Sequence, residues 1–262
     1  MIDDKFDKIG FLIPELNSMK NYPKDIFYIG NTNLLKKKKV SIVGTRKPIS
    51  YTKILINEIS TKLSSCNICV VSGAAMGTDA IAHKAASPKN TIAVVANGLD
   101  IKYPSINKKL IEEIEQQGLV ISAYKAGEKP RKYTFVHRNE IVVALGDILI
   151  VSQADLNSGT ISSIEYALKM NKKVYTLPHR INDSLGTNEY LKKGLIEVIY
   201  DVDSFIESLM PNYKKEILND EFLEYCKNYP SYDEAVLKYQ SKVFEYELEG
   251  KITIENSKII VN

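Results

Sequence analysis

Short runs of apolar, often β-branched residues alternate along the chain with longer stretches whose apolar residues recur at the period of a helix. The runs predict strands at Val40–Val43, Ile68–Ser72, Thr91–Val95, Leu119–Ser122, Asp147–Ser152, Lys173–Leu177 and Glu197–Ile199. The stretches between them predict helices at Tyr51–Ser64, Thr78–Ala86, Asn107–Gln117, Arg138–Leu145, Ser158–Met170 and Asn188–Lys193. Because most strand runs are continuously apolar, we expect them to be buried on both faces of a sheet. The pattern predicts a doubly wound, mostly parallel α/β sheet with helices on both sides.

The last fifty residues show a different pattern. They predict helices at Tyr232–Tyr239 and Ser241–Glu249, followed by a hairpin of Lys251–Glu255 and Lys258–Val261 that turns at Asn256 and Ser257. A Pro–Asn pair at 211–212 marks the expected boundary. We therefore predict an N-terminal extension (residues 1–39) that packs on the main domain, a main domain (40–212) and a small C-terminal domain (213–262).

The composition is that of a globular protein, with 44% hydrophobic and 26% charged residues. Residues 1–212 carry a net charge of +6 and residues 213–262 a net charge of −3, so we expect any polyanion to bind the main domain. No stretch has the roughly 18 uncharged apolar residues of a membrane helix, and the charged N-terminus lacks the apolar core of a signal peptide. Three cysteines are too few for a disulfide scaffold. We expect a cytoplasmic protein without a membrane partner.

Three loops rich in small residues follow predicted strands, namely Gly44–Arg46, Ser72–Gly77 and Asn157–Thr160. In a parallel sheet such loops meet at the carboxyl ends of the strands, where free N–H groups at helix N-termini favour anions. Neither the dinucleotide fingerprint GxGxxG nor the phosphate loop GxxxxGK followed by Ser or Thr occurs. Any one of these loops is equally well explained as a tight turn, whereas the three together favour an anion site.

Six blocks of residues follow the order of a known family: Ser41–Pro48, Val71–Asp79 with Ala82 and His83, Asn97–Pro104, Phe135–Asn139, Ser158–Thr160 and Gly186–Asn188. Across residues 40–205 the chain resembles the DNA-processing protein A (DprA/Smf) family. The resemblance implies an extended Rossmann domain that binds single-stranded DNA as a homodimer, protects incoming DNA and helps to load the RecA recombinase during natural transformation. It also implies that the terminal helices and hairpin form a winged-helix-like domain.

The residues that we expect to contact DNA are Gly44, Thr45, Arg46, Lys132, Phe135, Arg138, Asn139, Ser158 and Gly159. Residues 129–138 supply four Lys or Arg side chains and two aromatic rings, the charge and stacking surface that single-strand binders combine. We expect this segment to be a loop restrained by Pro130; a solvated surface connection is the other interpretation. Arg46 can fork onto a phosphate, and the N–H groups of Ser158 and Gly159 can bind another.

The chain departs from the family pattern where Met76 replaces a basic residue, Val136 a proline, Glu140 an arginine and His179 a glycine. A rival from another class is a nucleotide-processing phosphoribohydrolase of the lysine-decarboxylase-like type, which has the signature GGxGTxxE. Gly159 and Thr160 match that signature, but Ser163 stands where the hydrolase has its catalytic glutamate. We therefore expect no enzyme activity, no catalytic residue, no cofactor and no metal.

Three further features have structural interpretations. The lysine run 36–39 fits either phosphate contacts or a solvated charge run. Cys66 and Cys69 have CxxC spacing, but a zinc site needs a second pair of ligands. His83 falls among alanines on a predicted helix, where we expect a packed, hydrogen-bonded side chain.

For the homodimer we favour contacts through Lys173–Leu177 with Leu191 and Leu195, because an edge strand and a flanking helix can pair with their own copies. The two leucines, four residues apart, fit packing against their own sheet about as well. In the C-terminal domain, the acidic residues Glu245, Glu247 and Glu249 would repel the phosphates of duplex DNA. We expect that domain to contact protein.

Overall fold

The computed structural model describes residues 6–210, 221–226, 228, 230–248, 250–255 and 257–261 of the 262-residue chain. The chain forms two compact units that divide between Leu209 and Met210. The first unit holds a large sheet flanked by helices, and the second holds helices and a hairpin. Within the described ranges, no helix is both long enough and apolar enough to cross a membrane.

The described strands of the first unit are β1 (Phe27–Gly30), β2 (Lys39–Val43), β3 (Cys69–Ser72), β4 (Thr91–Val95), β5 (Leu119–Ser122), β6 (Ile148–Val151), β7 (Val174–Thr176) and β8 (Glu197–Val198). They form one sheet in the order β1-β5-β4-β3-β2-β6-β7-β8. Strand β1 is antiparallel to β5, and every other pairing is parallel. Strands β2 to β5 are buried at every residue, as their continuous apolar runs indicate. The predicted doubly wound, mostly parallel sheet is confirmed.

Strand β1 lies in a segment for which the sequence predicts no strand. It is only four residues long, and its burial decreases from Phe27 to Gly30, so it shows no clear periodicity. Its pairing with β5 explains the glycine: Gly30 has a φ of 106°, and a Cβ there would lie 2.2 Å from the carbonyl oxygen of Gly118. A contact between residues far apart in the sequence therefore forms this edge strand.

The described helices of the first unit are α1 (Ser50–Ser65), α2 (Thr78–Ala85), α3 (Lys108–Gln117), α4 (Lys132–Leu145), α5 (Gly159–Lys169), α6 (Leu185–Lys192) and α7 (Val202–Ser208). The prediction is wrong for the start of α4, which begins six residues before Arg138. The Thr134 hydroxyl closes the first turn, because it accepts from the Arg131 N–H and donates to the Arg131 carbonyl, each at 2.8 Å. The basic and aromatic segment is therefore helical from Lys132 onward. Helix α7 was not predicted, and α6 begins three residues early.

The order of the strands places a topological switch between β2 and β6. From β2 the chain adds β3, β4 and β5 on one side of the sheet, and β6 then pairs with the other side of β2. In open α/β sheets, ligands bind outside the carboxyl ends of the strands at such a switch. The loops after β2 and β6 therefore border the same crevice.

The lysine run at 36–39 is largely built into the first unit. The Lys39 side chain is 3% exposed, and its Nζ lies 2.5 Å from a carboxylate oxygen of Glu15. The Nζ of Lys37 donates to the side-chain oxygen of Asn90 at 2.8 Å. Both interpretations of the run, phosphate contacts and a solvated charge run, are therefore wrong for Lys39.

The second unit contains α8 (Glu221–Cys226), α9 (Tyr232–Tyr239), α10 (Ser241–Leu248) and the antiparallel strands β9 (Ile252–Glu255) and β10 (Lys258–Val261). Its core consists of Phe222, Cys226, Ala235, Val243, Ile252 and Ile259. The predicted pair of helices and the hairpin are present, whereas α8 was not predicted. Glu249 and Asn256, which the prediction included, lie outside the described residues. The winged-helix assignment stays a prediction.

Candidate nucleic-acid interface

A cavity of about 620 Å³ lies at the carboxyl ends of β2 and β6. Its walls include all nine residues that the sequence predicts to contact DNA: Gly44, Thr45, Arg46, Lys132, Phe135, Arg138, Asn139, Ser158 and Gly159. These residues come from the loop after β2, the first half of α4 and the start of α5. The fold thus brings three separate segments to one concave surface, while their contact with DNA stays a prediction.

The loop after β2 is held against the start of α2 and the end of β6. The Thr45 N–H donates to the Gln153 carbonyl at 2.9 Å, and the Thr45 carbonyl accepts from the Thr78 N–H at 3.2 Å. A Cβ at Gly44 would lie 2.0 Å from Ser152 Oγ and 2.6 Å from Thr78 Oγ1. Glycine is therefore required at this close approach, which fixes the first wall of the cavity.

Gln153 joins three segments at the cavity, although no sequence motif indicates this role. Its side-chain oxygen accepts from the Ile49 N–H at 3.1 Å and from the Thr52 hydroxyl at 3.2 Å. Its side-chain nitrogen donates to the Asp183 carbonyl at 3.0 Å. A polar residue after a buried strand is too common in sequences to indicate this role.

Arg138 is part of the cavity wall and is only 5% exposed. Its Nη1 donates to the carbonyl oxygens of Gly73 and Val94, the latter at 3.1 Å, and its Nε donates to the Asn139 side-chain oxygen at 3.0 Å. Burial lowers the pKa of this guanidinium from its ordinary value. Arg138 therefore stabilises the loop Ser72–Gly77 from inside the protein.

Asp79 is a second buried charged group in the wall, at 7% exposure. Its Oδ2 accepts from the N–H groups of Gly73 at 3.2 Å and Ala75 at 3.3 Å. Burial raises the pKa of the Asp79 carboxyl, against the opposing effect of the Arg138 charge. The loop Ser72–Gly77 is thus folded around the Asp79 carboxylate. In the sequence, Asp79 stands out only as the last residue of the block Val71–Asp79.

Phe135 presents a ring between two guanidinium groups. Its centroid lies 5.7 Å from Arg46 Cζ and 5.8 Å from Arg138 Cζ. The ring of Tyr103, which is 42% exposed, lies 5.9 Å away at an angle of 48°. Two neighbouring aromatic rings beside cations form the kind of surface on which bases stack. Tyr103 had been noted only as part of a sequence block.

Helix α5 begins at the cavity without a side-chain cap among the described residues. Ser158 holds the N-cap position, yet its Oγ is buried and has no hydrogen-bond partner. Ser163, which also lines the cavity, is 1% exposed and its hydroxyl likewise has no partner. A Cβ at Gly159 would meet no heavy atom within 4 Å. The first turn of α5 therefore has no side-chain cap, and the space beside Gly159 is open.

Four cationic side chains line the cavity, those of Arg46, Lys47, Lys132 and Arg138, together with two carboxylates, those of Asp79 and Asp155. Asp155 is exposed to solvent, and Asp79 accepts hydrogen bonds from the protein itself. Positive charge is therefore in excess in the cavity. In a concave site such an excess concentrates the electrostatic field and attracts anions. Among the described residues, including those of the cavity, no group of three or more His, Cys, Asp or Glu side chains could hold a metal ion.

Comparison with known proteins assigns the chain that forms this cavity to a family. Residues 8–210 match the family model of DNA recombination-mediator protein A. The chain belongs to this family. The match covers the whole sheet and all the segments that line the cavity, so the resemblance to DprA/Smf proteins indicated by the six sequence blocks is confirmed.

Several members of this family are similar to the chain in sequence. The DNA processing protein DprA of Streptococcus pneumoniae is 35% identical over 184 residues, which cover 69% of this chain and 65% of the relative. The Bacillus subtilis DprA is 30% identical over 199 residues, or 74% of this chain and 67% of the relative. The Smf protein of Synechocystis is 33% identical over 195 residues, or 71% of this chain and 49% of the relative. The chain thus spans about half to two thirds of the length of these relatives.

Two solved structures share the fold. DNA processing protein A from Helicobacter pylori, studied for its unique single-stranded DNA binding mode, has 38% identity and a TM-score of 0.78, with 80% of this chain and 98% of that chain covered. DprA from Streptococcus pneumoniae has 32% identity and a TM-score of 0.72, with 79% and 74% covered. The sheet architecture described above is therefore a fold that members of this family share.

The favoured dimer surface of this DprA-family chain needs one correction. Strand β7 was expected to form an edge of the sheet, but β8 pairs with it in parallel over two residues. Leu191 is partly buried and packs against the core of the first unit, whereas Leu195 is 46% exposed. Of the two leucines, Leu195 is therefore the one available at the surface.

His83 and Cys69 are buried in the first unit. His83 is fully buried, its Nδ1 lies 2.6 Å from the Thr91 hydroxyl oxygen, and burial lowers the pKa of its imidazole to about 3. Cys69 lies within β3, and burial raises the pKa of its thiol to about 12. A buried neutral thiol is a poor metal ligand and nucleophile.

Proposed function

We propose that this chain binds single-stranded DNA in the cavity at the carboxyl ends of β2 and β6. The observation that carries the proposal is the convergence of three chain segments on one cavity that offers exposed cations, an aromatic ring and an uncapped helix N-terminus. These are the parts that single-strand binders combine. The description of the Helicobacter pylori relative as a single-stranded DNA binder supports the same interpretation.

Different residues have different roles in this proposal. Arg46 and Lys132, which are exposed, contact phosphates and contribute the salt-dependent part of the affinity. Phe135 stacks on a base, a contact worth roughly 1 to 3 kcal/mol. Arg138 acts as a positioning residue, because its guanidinium is already bonded to Gly73, Val94 and Asn139.

Fluorescence anisotropy with a labelled oligothymidylate and with a duplex of the same length, at several salt concentrations, tests this proposal. We expect tighter binding to the single strand and an affinity that decreases linearly with salt on a logarithmic scale. Equal affinity for both forms would contradict the proposed role of base stacking. Absence of binding at low salt would overturn the proposal.

We further propose that the chain protects the bound strand, acts as a homodimer and helps to load RecA during natural transformation. Membership of a recombination-mediator family supports this part. Leu195 is the side chain that we place at the dimer contact, since it is 46% exposed beside α6. Two cavities on one particle would raise the affinity for long strands by effective concentration.

Two measurements test these further steps. Sedimentation at micromolar concentration should give a dimer for the parent and a folded monomer for Leu195→Glu, with weaker binding to long but not short oligonucleotides. If Leu195→Glu is still a folded dimer, Leu195 does not lie in the dimer contact. RecA filament assembly on strands coated with single-strand binding protein should start sooner when the chain is added; an unchanged lag would contradict the loading role.

A further inference from the structure

A second cavity, of about 510 Å³, lies at the amino ends of β2 and β6. Lys39, the first residue of β2, and Asp147, which directly precedes β6, both line it. The cavity described above lies at the carboxyl ends of the same strands, so the five residues of β2 separate the two sites by about 15 Å. The two cavities are therefore separate surfaces at opposite ends of one pair of strands.

We propose that this second cavity, the amino-end cavity, is a docking site for an acidic peptide segment of another protein, one whose carboxylates alternate with apolar side chains. The proposal goes beyond DNA binding and does not depend on it. Since the two cavities face opposite ends of the strands, the peptide and a bound DNA strand do not compete for the same residues.

The apolar part of the amino-end cavity comes from two adjacent side chains. Phe11 and Leu12 line it and are 50% and 63% exposed. Ile13 and Leu35, which also line it, are 1% and 5% exposed and belong to the core of the first unit. A pair of large exposed apolar side chains on a buried apolar base forms a surface that apolar side chains of a partner would cover.

The backbone beside these side chains is also available to a peptide. The N–H and C=O groups of Phe11 and Leu12 make no hydrogen bond with any described residue. An extended peptide recognises such groups through its own main chain, while its side chains enter the neighbouring pockets. The segment before Pro14 therefore offers both kinds of contact that an extended peptide uses.

The charged part of the cavity has an excess of positive charge. Both carboxylates of its wall are engaged within the protein: Glu15 lies 2.5 Å from the Lys39 Nζ, and Asp147 accepts the Lys39 N–H at 3.0 Å. Lys36 is exposed, and its Nζ makes no hydrogen bond or ion pair with any described residue. Lys38 is exposed as well and donates to the Leu209 carbonyl, a neutral acceptor. These two cations would attract carboxylates of a partner.

The composition of the wall favours a peptide over a nucleic acid. No arginine is among the described residues that line the amino-end cavity, whereas Arg46 and Arg138 line the cavity at the carboxyl ends. Glu15 and Asp147 would repel a continuous line of phosphates. An acidic peptide places single carboxylates next to apolar side chains, so it matches both the lysines and the exposed Leu12.

The first probe is a phage-displayed library of random peptides, selected on the full chain in the presence of saturating oligothymidylate. The most enriched peptide is then synthesised with a fluorescent label for anisotropy titrations at several salt concentrations. Lys36→Glu and Leu12→Ser change the charged and the apolar part of the cavity. Lys109→Glu, an exposed cation on α3, and Ile54→Ser, which is 66% exposed on α1, are the matched controls, because neither residue lines either cavity.

We expect the enriched peptides to contain several Asp or Glu residues together with Leu, Ile or Phe. Lys36→Glu and Leu12→Ser should each weaken binding of the labelled peptide at least about 10-fold, through charge reversal and through loss of an apolar contact. The two control variants should bind it like the parent. Binding should weaken as salt increases, and Arg46→Ala should not affect it.

Several results would overturn the proposal, and none of them depends on whether the chain binds DNA. Enrichment of neutral or basic peptides, no enrichment, or equal peptide affinity of Lys36→Glu and Lys109→Glu would exclude an acidic peptide at this cavity. If Lys36→Glu weakens oligothymidylate binding as much as Arg46→Ala does, the cavity is part of a nucleic-acid surface. If Leu12→Ser, but not Ile54→Ser, lowers the sedimentation coefficient of the folded chain, a second copy covers the cavity instead.

Discussion

The guanidinium carbon of Arg46 lies 5.7 Å from the centroid of the Phe135 ring. Arg46 follows the strand β2 and Phe135 lies in the second turn of α4, so the contact joins two segments that are far apart in the sequence. A cation and a ring in this arrangement attract each other. In the proposed function Arg46 contacts a phosphate and Phe135 stacks on a base, so these two residues are the first to test.

Arg46→Ala should weaken single-strand binding for all sequences alike, because a phosphate contact carries no base information. The negative slope of log affinity against log salt should become shallower by about 0.7, as expected for the loss of one phosphate contact with a single strand. Anisotropy titrations at several salt concentrations measure both effects. Lys109→Ala, an exposed cation on α3 outside the cavity, is the control. A parent-like slope for Arg46→Ala would exclude Arg46 from the binding surface.

Phe135→Ala should weaken single-strand binding by about 1 to 3 kcal/mol, because it removes base stacking. The slope of log affinity against log salt should change little, because the charge is unchanged. Phe135→Leu keeps apolar volume without a flat ring and serves as the control for packing. Circular dichroism should show a folded chain in both variants. If Leu restores full affinity, the ring packs in the wall and does not stack on a base.

Arg138→Met should destabilise the first unit by about 3 to 5 kcal/mol, because it leaves Asp79 as an uncompensated buried charge. The carbonyls of Gly73 and Val94 also lose their donor. Urea unfolding monitored by circular dichroism gives the change. The double variant Arg138→Met with Asp79→Asn should recover part of the loss, since it also removes the unpaired carboxylate. An unchanged unfolding midpoint for Arg138→Met would show that Arg138 does not brace the loop.

Substitution by alanine should have different effects on stability at two glycines of the cavity. Gly44→Ala places a Cβ 2.0 Å from Ser152 Oγ, so it should destabilise the first unit by about 1 to 3 kcal/mol through overpacking. Gly159→Ala meets open space and should leave stability within about 0.5 kcal/mol, yet it narrows the approach to the helix N-terminus and should weaken DNA binding. Urea unfolding and anisotropy measure the two effects. Equal stability of the two variants would contradict the close approach at Gly44.

The stability of the first unit should depend on pH through His83. Burial lowers the pKa of its imidazole to about 3, whereas the unfolded chain protonates near pH 6.5. Between these values the unfolded state binds the extra proton, so the free energy of unfolding decreases as pH falls, by up to about 1.4 kcal/mol per pH unit for this one group. Above pH 7 the effect is absent.

The comparison with His83→Gln isolates this group, because the other titrating side chains are common to both chains. The stability difference between the parent and His83→Gln should be constant above pH 7 and should change in favour of the variant as pH falls from 6.5 to 5. Urea unfolding at each pH measures it. A difference that does not vary with pH would show that His83 is not buried as a neutral group.

The sequence by itself determined seven of the eight strands of the sheet, most of the helices and nine of the residues that line the cavity. Continuous apolar runs indicate strands that are buried on both faces, and this local pattern predicted strand bounds such as Thr91–Val95 without reference to any other part of the chain. Small residues after β2 and before α5 marked the crevice, because loops at the carboxyl ends of parallel strands must meet.

Tertiary structure alone decided the features that depend on partners far away in the sequence. Strand β1 forms because β5 offers it an edge. Arg138 is buried and hydrogen-bonded to Gly73 and Val94, although its sequence context suggested a surface cation. Burial and hydrogen-bond partners are set by the packing of the whole sheet, and a local pattern of residue types does not contain them.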